Sequence, residues 1–305
     1  MSDITSTSRA ASLPVVDSVG LGAMIAAVLA IAWSPILARF SDVAPAATAF
    51  WRLMFSLPVL VVWARAEAGR AGGQPLANLL SRPGLVAAVL AGIAFSGDLA
   101  FYHAALPLTS VANASFISNL APVASVVAGF VLLRDRIRPL VLLALGVALV
   151  GVVITSGAYH GGFSMGRGDL LATAAGFSYA FYLVALRVAR SSRLAADVTL
   201  VSTIAAAMGL LAIVLVEGGT FLPHTLQGWA VVVGLGLICQ VLGQGLSAVG
   251  IGRLPAGIVA IILLSHPILS AIIAYFVFGE ALSLDQLVGG LLILGAVMMT
   301  RINMK

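Results

Sequence analysis

The chain has 305 residues, 61% of them hydrophobic and 9% charged, with a formal net charge of +5 and a mean hydropathy of +1.13. Globular domains carry about 25% charged residues, so a soluble domain is excluded. The positive charge falls at the ends of apolar runs and is no sign of nucleic-acid binding. A single cysteine, Cys239, excludes an internal disulfide or a cysteine-based metal cluster. A single lysine, Lys305, excludes a Walker A loop and a lysine Schiff base.

About 20 apolar residues at 1.5 Å rise cross a bilayer core. Apolar runs and their Gly, Pro and charged breakers predict ten such spans, at 19–40, 45–65, 84–104, 109–133, 139–156, 168–188, 196–216, 227–248, 254–278 and 284–301. The expected fold class is therefore an all-α integral membrane protein of ten transmembrane helices. Residues 1–18 read as a cytoplasmic tail, and the first run as an uncleaved helix rather than a signal peptide. With the N-terminus inside, thirteen Lys and Arg residues fall on inner segments, in clusters such as Arg134, Arg136 and Arg138. The outer segments hold Arg39 and Arg167. The positive-inside rule then puts both termini in the cytoplasm.

The fourth span is unusual. It carries Asn113, Asn119, several serines and a central Pro122, and its pattern returns 145 residues later: Gly250–Leu282 aligns without a gap to Ala105–Ile137. Pro267 then falls on Pro122 and Glu280 on Asp135, while Trp33 falls on Tyr179 at an offset of 146. Five spans per half is odd, so the second half (168–301) enters the membrane upside down relative to the first (19–156). Inverted repeats of this kind build secondary carriers with a midplane site between the halves.

Charge inside hydrocarbon costs roughly 2.5–3.5 kcal/mol on insertion scales, so polar residues within spans are the candidate site. Arg52 and Asp98 are expected at a similar depth, about 10 Å below the outer surface by helix rise. They either form an ion pair or share a water-filled vestibule; the bland alternative has Arg52 snorkelling outward and Asp98 capping a bend beside Gly97. Asn119, Ser265 and His266 lie near the midplane beside the two prolines, where backbone carbonyls are freed. Interhelical hydrogen bonding is the plainer role for Asn and Ser, and His266 is a candidate proton carrier with Asp98. Gln240 and Gln244 lie one turn apart. Trp33, Tyr179 and Tyr182 are placed to wall a cavity or simply to pack, and Tyr102 and His103 to close span 3 at its outer boundary, as belt residues or at a cavity mouth. Pro35, Pro122, Gly243 and Pro267 are the expected hinges, with Gly176 a further bending point. The histidines have no metal-ligand spacing, and Gly176–Ala180 lacks the final glycine of a nucleophile elbow.

Phe278-Gly279-Glu280 after the Pro267 helix, then Gly289, Gly290 and Gly295, resemble the EamA type of the drug/metabolite transporter superfamily. The first copy departs from that pattern, with Leu133-Arg134-Asp135 where Leu-Gly-Glu is usual. Trp33 and Arg52 also look like the aromatic and the arginine of that family's first two helices. The resemblance implies two five-helix repeats in opposite orientation and export of amino acids or other small metabolites across a bacterial inner membrane. Alternating access, no cofactor, no nucleic-acid partner and a monomer are the companion expectations. Within the family the layout is similar to that of aromatic amino acid exporters. Two other classes were weighed: an intramembrane lipid-modifying enzyme using Asp98 and His266, which has no nucleophile beside either, and a channel or scaffold.

Overall fold

The computed structural model describes residues 17–70, 84–121, 124, 125, 128, 139–155, 157, 165–190, 194–251, 253 and 256–302. Among them every regular element is helical. In chain order these are α1 (Ser18–Ala32), α2 (Ser34–Arg39), α3 (Pro45–Arg70), α4 (Leu85–Ala105), α5 (Val111–Ser118), α6 (Pro139–Thr155), α7 (Arg167–Arg190), α8 (Ala195–Glu217) and α9 (Leu226–Gly234). A π-helical segment (Leu235–Gln244) follows, then α10 (Gly245–Ile251), α11 (Ala256–Phe278) and α12 (Leu284–Ile302).

Among the described residues, six stretches are long and apolar enough to cross a bilayer: Ser18–Arg39, Pro45–Arg70, Leu85–Ala105, Arg167–Leu186, Ala196–Glu217 and Leu226–Ser247. Shorter apolar helices occupy Gly146–Thr155, Ser265–Phe278 and Leu284–Ala296. Large side chains such as Val62, Leu215, Val216, Phe276 and Leu291 stand exposed on the outside of the bundle. Water would penalise so much exposed apolar surface, whereas lipid does not. The chain is a multi-pass membrane protein.

Local chemistry explains where the helices start and break. Asp17 caps α1, accepting from the Val19 and Gly20 amides at 2.9 and 3.2 Å. Pro35, which has no N–H to offer the Ile31 carbonyl one turn earlier, breaks the first span at Trp33 into α1 and α2. The fourth span, predicted over 109–133 with a hinge at Pro122, breaks earlier than that proline. α5 ends at Ser118 and Asn119 turns back, its N–H donating to the Phe116 carbonyl at 3.1 Å. Ser118 is the residue whose carbonyl a proline at 122 can neither bond nor easily pass; Pro122 itself lies outside the described residues. Gly176 was expected to bend its helix, yet α7 runs on through it. Its lack of a side chain lets α7 approach the Ser118 carbonyl, which a Cβ would meet at 3.1 Å.

The packing runs chiefly between halves. α4 lies against α7 and α8, α6 against α12, α3 against α8 and the π segment, and α1 against the π segment, α10 and α11. At the α6/α12 crossing a Cβ on Gly151 would meet the Gly289 carbonyl at 2.8 Å, so the two backbones are in contact. The loops gather at two ends. At one, Ala44 N–H donates to the Thr220 carbonyl (2.9 Å), Asp42 accepts from His224 and Thr225 amides, and Arg39 meets Glu280. At the other ends of those helices, Arg253 pairs with Asp17 at 3.1 Å and the Ala196 amide donates to Glu67 at 2.7 Å.

Candidate functional site

The centre of the site is Arg52, on α3 and only 4% exposed. Its Nε donates to Gln240 Oε1 at 3.2 Å and its Nη1 to Ser34 Oγ at 2.9 Å. The guanidinium charge is within electrostatic reach of Asp98 and Tyr102 on α4, Tyr179 on α7 and Cys239 on the π segment, and of His103 and His266. Four of the sequence-selected residues, Asp98, Tyr102, Tyr179 and His266, thus lie within electrostatic reach of a fifth, and Gln240 holds it.

Arg52 and Asp98 do not form an ion pair. Among the described residues the pairs within 4 Å are Arg39–Glu280 and Arg253–Asp17. Asp98 is half-buried and accepts no hydrogen bond from the described residues, yet its oxygens are not among the sealed, unpartnered atoms. The same is true of Arg52 Nη2. The two charges thus lie in one neighbourhood without a salt bridge between them.

The other candidates divide. Tyr102 exchanges a 3.1 Å hydrogen bond with Ser115 of α5. Tyr179 and Tyr182 stack at 5.2 Å between centroids, and Tyr182 stacks in turn on Phe95 at 4.9 Å; Tyr182 sits in the apolar core while Tyr179 adjoins Arg52 and Asp98. Trp33, at the α1/α2 break, is 44% exposed rather than enclosed. Ser265 Oγ returns to the Ile262 carbonyl of its own helix at 2.5 Å. Asn119 and Gln244 are half-buried. Gly243 lies in the π segment, pressed on Ile31, and Pro267 is buried inside α11, which continues past it.

His266 on α11 lies beside the α1 break, its ring near the Ile31 backbone, whose carbonyl accepts from the Trp33 N–H, and its Nε2 is buried without a partner among the described residues. Cys239 Sγ and Ser270 Oγ take the neighbouring carbonyls of Ala30 (3.4 Å) and Ala32 (3.1 Å). Ser34 escaped sequence reasoning, although its place beside Pro35 was a signal. His103, expected with Tyr102 at the outer boundary of its span, is 3% exposed with both ring nitrogens unpartnered among the described residues.

A second polar cluster closes the Glu280 end. Arg39 pairs with Glu280, donates to the Thr109 carbonyl and to that of Leu106 (3.0 Å), and lies 5.2 Å from the Phe278 ring centroid. Gly279, at φ +70°, makes the turn that presents Glu280, whose second oxygen accepts from the Val111 amide at 3.0 Å. Asp169 accepts from Thr109 Oγ1 (2.8 Å) and Asn113 Nδ2 (3.3 Å), and Gln286 Nε2 reaches Ser110 and Asn113. By contrast, a groove lined by Leu143, Gly146, Val147, Val150 and Leu292 lies on the outer face of α6 and α12, is apolar, and is no part of either cluster.

A family model, described as the EamA-like transporter family, matches residues 18–157 and again 166–302. The chain belongs to the EamA-like transporter family. A relative from Archaeoglobus fulgidus, named an uncharacterized transporter, is 29% identical over 200 residues, 66% of this chain and 70% of that one. One solved crystal structure, of a protein given no further description, superposes with a TM-score of 0.58 over 94% of this chain and 98% of the other, at 24% identity. That likeness shows a shared fold alone. As a member of the EamA-like family the protein is a transporter, and the Arg52 cluster is its candidate substrate site.

Proposed function

We propose that this transporter exports small zwitterionic metabolites, foremost aromatic and hydrophobic amino acids, across the bacterial inner membrane, moving between states open to either side. The carrying observation is the pair of opposite charges, Arg52 and Asp98, that share one buried neighbourhood without neutralising each other. An α-carboxylate suits the free guanidinium edge, which offers parallel N–H donors. An ammonium group suits the Asp98 carboxylate. Tyr179 beside them offers an aromatic face to an apolar side chain.

The architecture read here is ten transmembrane helices in two inverted repeats, with both termini cytoplasmic. Two successive family matches on one chain support the duplication. So does the pattern of packing. If the ten spans pair one with six, two with seven and so on, exchanging the halves turns the α4–α7 contact into that of α1 with the π segment and α10. It maps the α3–α8 and α6–α12 contacts onto themselves. The Arg39–Glu280 cluster is then the closed outer gate of one state.

Competition by a panel of amino acids against labelled phenylalanine in reconstituted vesicles tests the substrate class. Zwitterions should compete at least tenfold better than the matching amines or deaminated acids. Equal competition by all three would end the zwitterion reading. A second reading, proton-coupled exchange, is favoured by the unpartnered Nε2 of His266; an imposed pH gradient should then drive uphill flux that His266→Gln abolishes.

A further inference from the structure

Arg52 is gripped by two elements that both leave α-helical geometry where they meet it. Ser34 opens α2 immediately after the Trp33 break, and Gln240 lies in the π-helical segment. A π-helix has a wider turn than an α-helix, rotates the side chains that follow, and is found chiefly at functional sites. The segment is pinned on both sides of Arg52. At Gly236, one turn before Gln240, a Cβ would stand 2.9 Å from the Arg52 carbonyl oxygen and 2.8 Å from Phe55 Cβ, so only glycine lets the segment seat this close to α3. Cys239 ties it to the Ala30 carbonyl of α1 at 3.4 Å.

We propose that Gln240, together with Ser34, is a positioning residue that sets the rotation of the Arg52 guanidinium, so that the edge bearing Nη2 faces the substrate carboxylate. This rests on the reading of Arg52 as the carboxylate end of the site. A guanidinium has five N–H donors. Gln240 takes the one on Nε and Ser34 one on Nη1, which leaves the Nη2 pair and one Nη1 hydrogen. Both partners are neutral. They hold the cation without cancelling its charge, whereas a carboxylate at position 240 would bond it as well and remove its field.

A wholly structural role, in which the two side chains only satisfy a buried cation, predicts something different. It would make Gln240→Glu benign and let Gln240→Leu weaken all ligands alike. The experiment measures binding of phenylalanine, and of phenethylamine, the same molecule without its carboxyl group, to the purified full chain and to Gln240→Leu, Gln240→Glu, Ser34→Ala and Arg52→Lys. In Gln240→Leu and Gln240→Glu the ratio of phenylalanine to phenethylamine affinity should fall about tenfold, with a smaller fall in Ser34→Ala. An unchanged ratio in both Gln240 variants, or an equal loss of both ligands, overturns the positioning role. If Arg52→Lys also leaves the ratio unchanged, or the wild type fails to bind phenylalanine, the carboxylate reading of Arg52 falls with it. A fall confined to Arg52→Lys leaves that reading standing and sinks only the role of Gln240.

Discussion

Asp98 shows how much a single side chain can be asked to do inside a membrane. An unpaired carboxylate in hydrocarbon is costly, and this one has neither a hydrogen-bond donor nor a direct cation among the described residues. Its persistence is intelligible if water fills the vestibule between cycles and an ammonium group replaces that water during transport. Asp98→Asn should therefore reduce phenylalanine flux in vesicles at least tenfold and relieve competition by amines, while competition by deaminated acids stays. Asp42 is a different kind of carboxylate. It lies in the loop after α2, and the Thr225 hydroxyl, then the Thr225 and His224 amides, hold it below the ordinary value of 3.8. A depressed folded-state pKa contributes stability that is complete above the unfolded value and fades as pH falls through the folded one. Thermal unfolding in detergent should accordingly show a fall in Tm below about pH 4 that Asp42→Asn makes shallower.

At the scale of the helix, small residues set the distances. Membrane helices gain little from hiding apolar surface from one another, so association depends on close packing. Gly151 and Gly289 bring α6 and α12 into backbone contact, and Gly290 receives the edge of the Phe116 ring of α5, 2.8 Å from where a Cβ would be. At Gly289 a Cβ would meet the Thr155 amide nitrogen and the Gly151 carbonyl oxygen, backbone that cannot fold aside. Gly289→Leu should shorten the half-life at elevated temperature several-fold, in line with overpacking costs of about 1–3 kcal/mol, without changing which ligands the surviving protein binds. Thermal inactivation followed by ligand binding checks both halves of that statement. The breaks in the helices follow a simple local rule. Pro35 has no N–H for the Ile31 carbonyl, which accepts from the Trp33 N–H at the break instead, and His266 from the other half of the chain lies beside it.

Across the whole molecule, the Glu280 end is held by one cation serving several segments at once. Arg39 joins the end of α2, the loop between α4 and α5, and the turn after α11. Glu280→Gln removes the charge opposite Arg39 but keeps the shape, so that end should open more readily. The chain's one thiol, Cys239, is buried in the Arg52 cluster and serves as a reporter. Its labelling by a small membrane-impermeant thiol reagent applied from the Glu280 side should speed up several-fold in the variant, and no change would argue against a gate at this end.

The apolar runs alone foretold an all-helical membrane fold, because in a bilayer every backbone group must be satisfied within its own segment and a long apolar run has few alternatives to helix. Cost also made the candidate site residues visible: Arg52, Asp98 and His266 stand out because charge and titratable groups are rare where lipid is expected. Glu280 was found as part of a repeated motif, not as a partner for Arg39. Local pattern could not reveal that Ser34 and Gln240 are the ligands of Arg52, or that Asp98 stays apart from it. Nor could it show the α5 break at Ser118, the π-helical turn, or the meeting of Arg39 with Glu280. Those features depend on contacts between residues far apart in the chain, 188 positions for Arg52 and Gln240 and 241 for Arg39 and Glu280. The rotation and crossing of whole helices decide such contacts, and no periodicity along one helix records them.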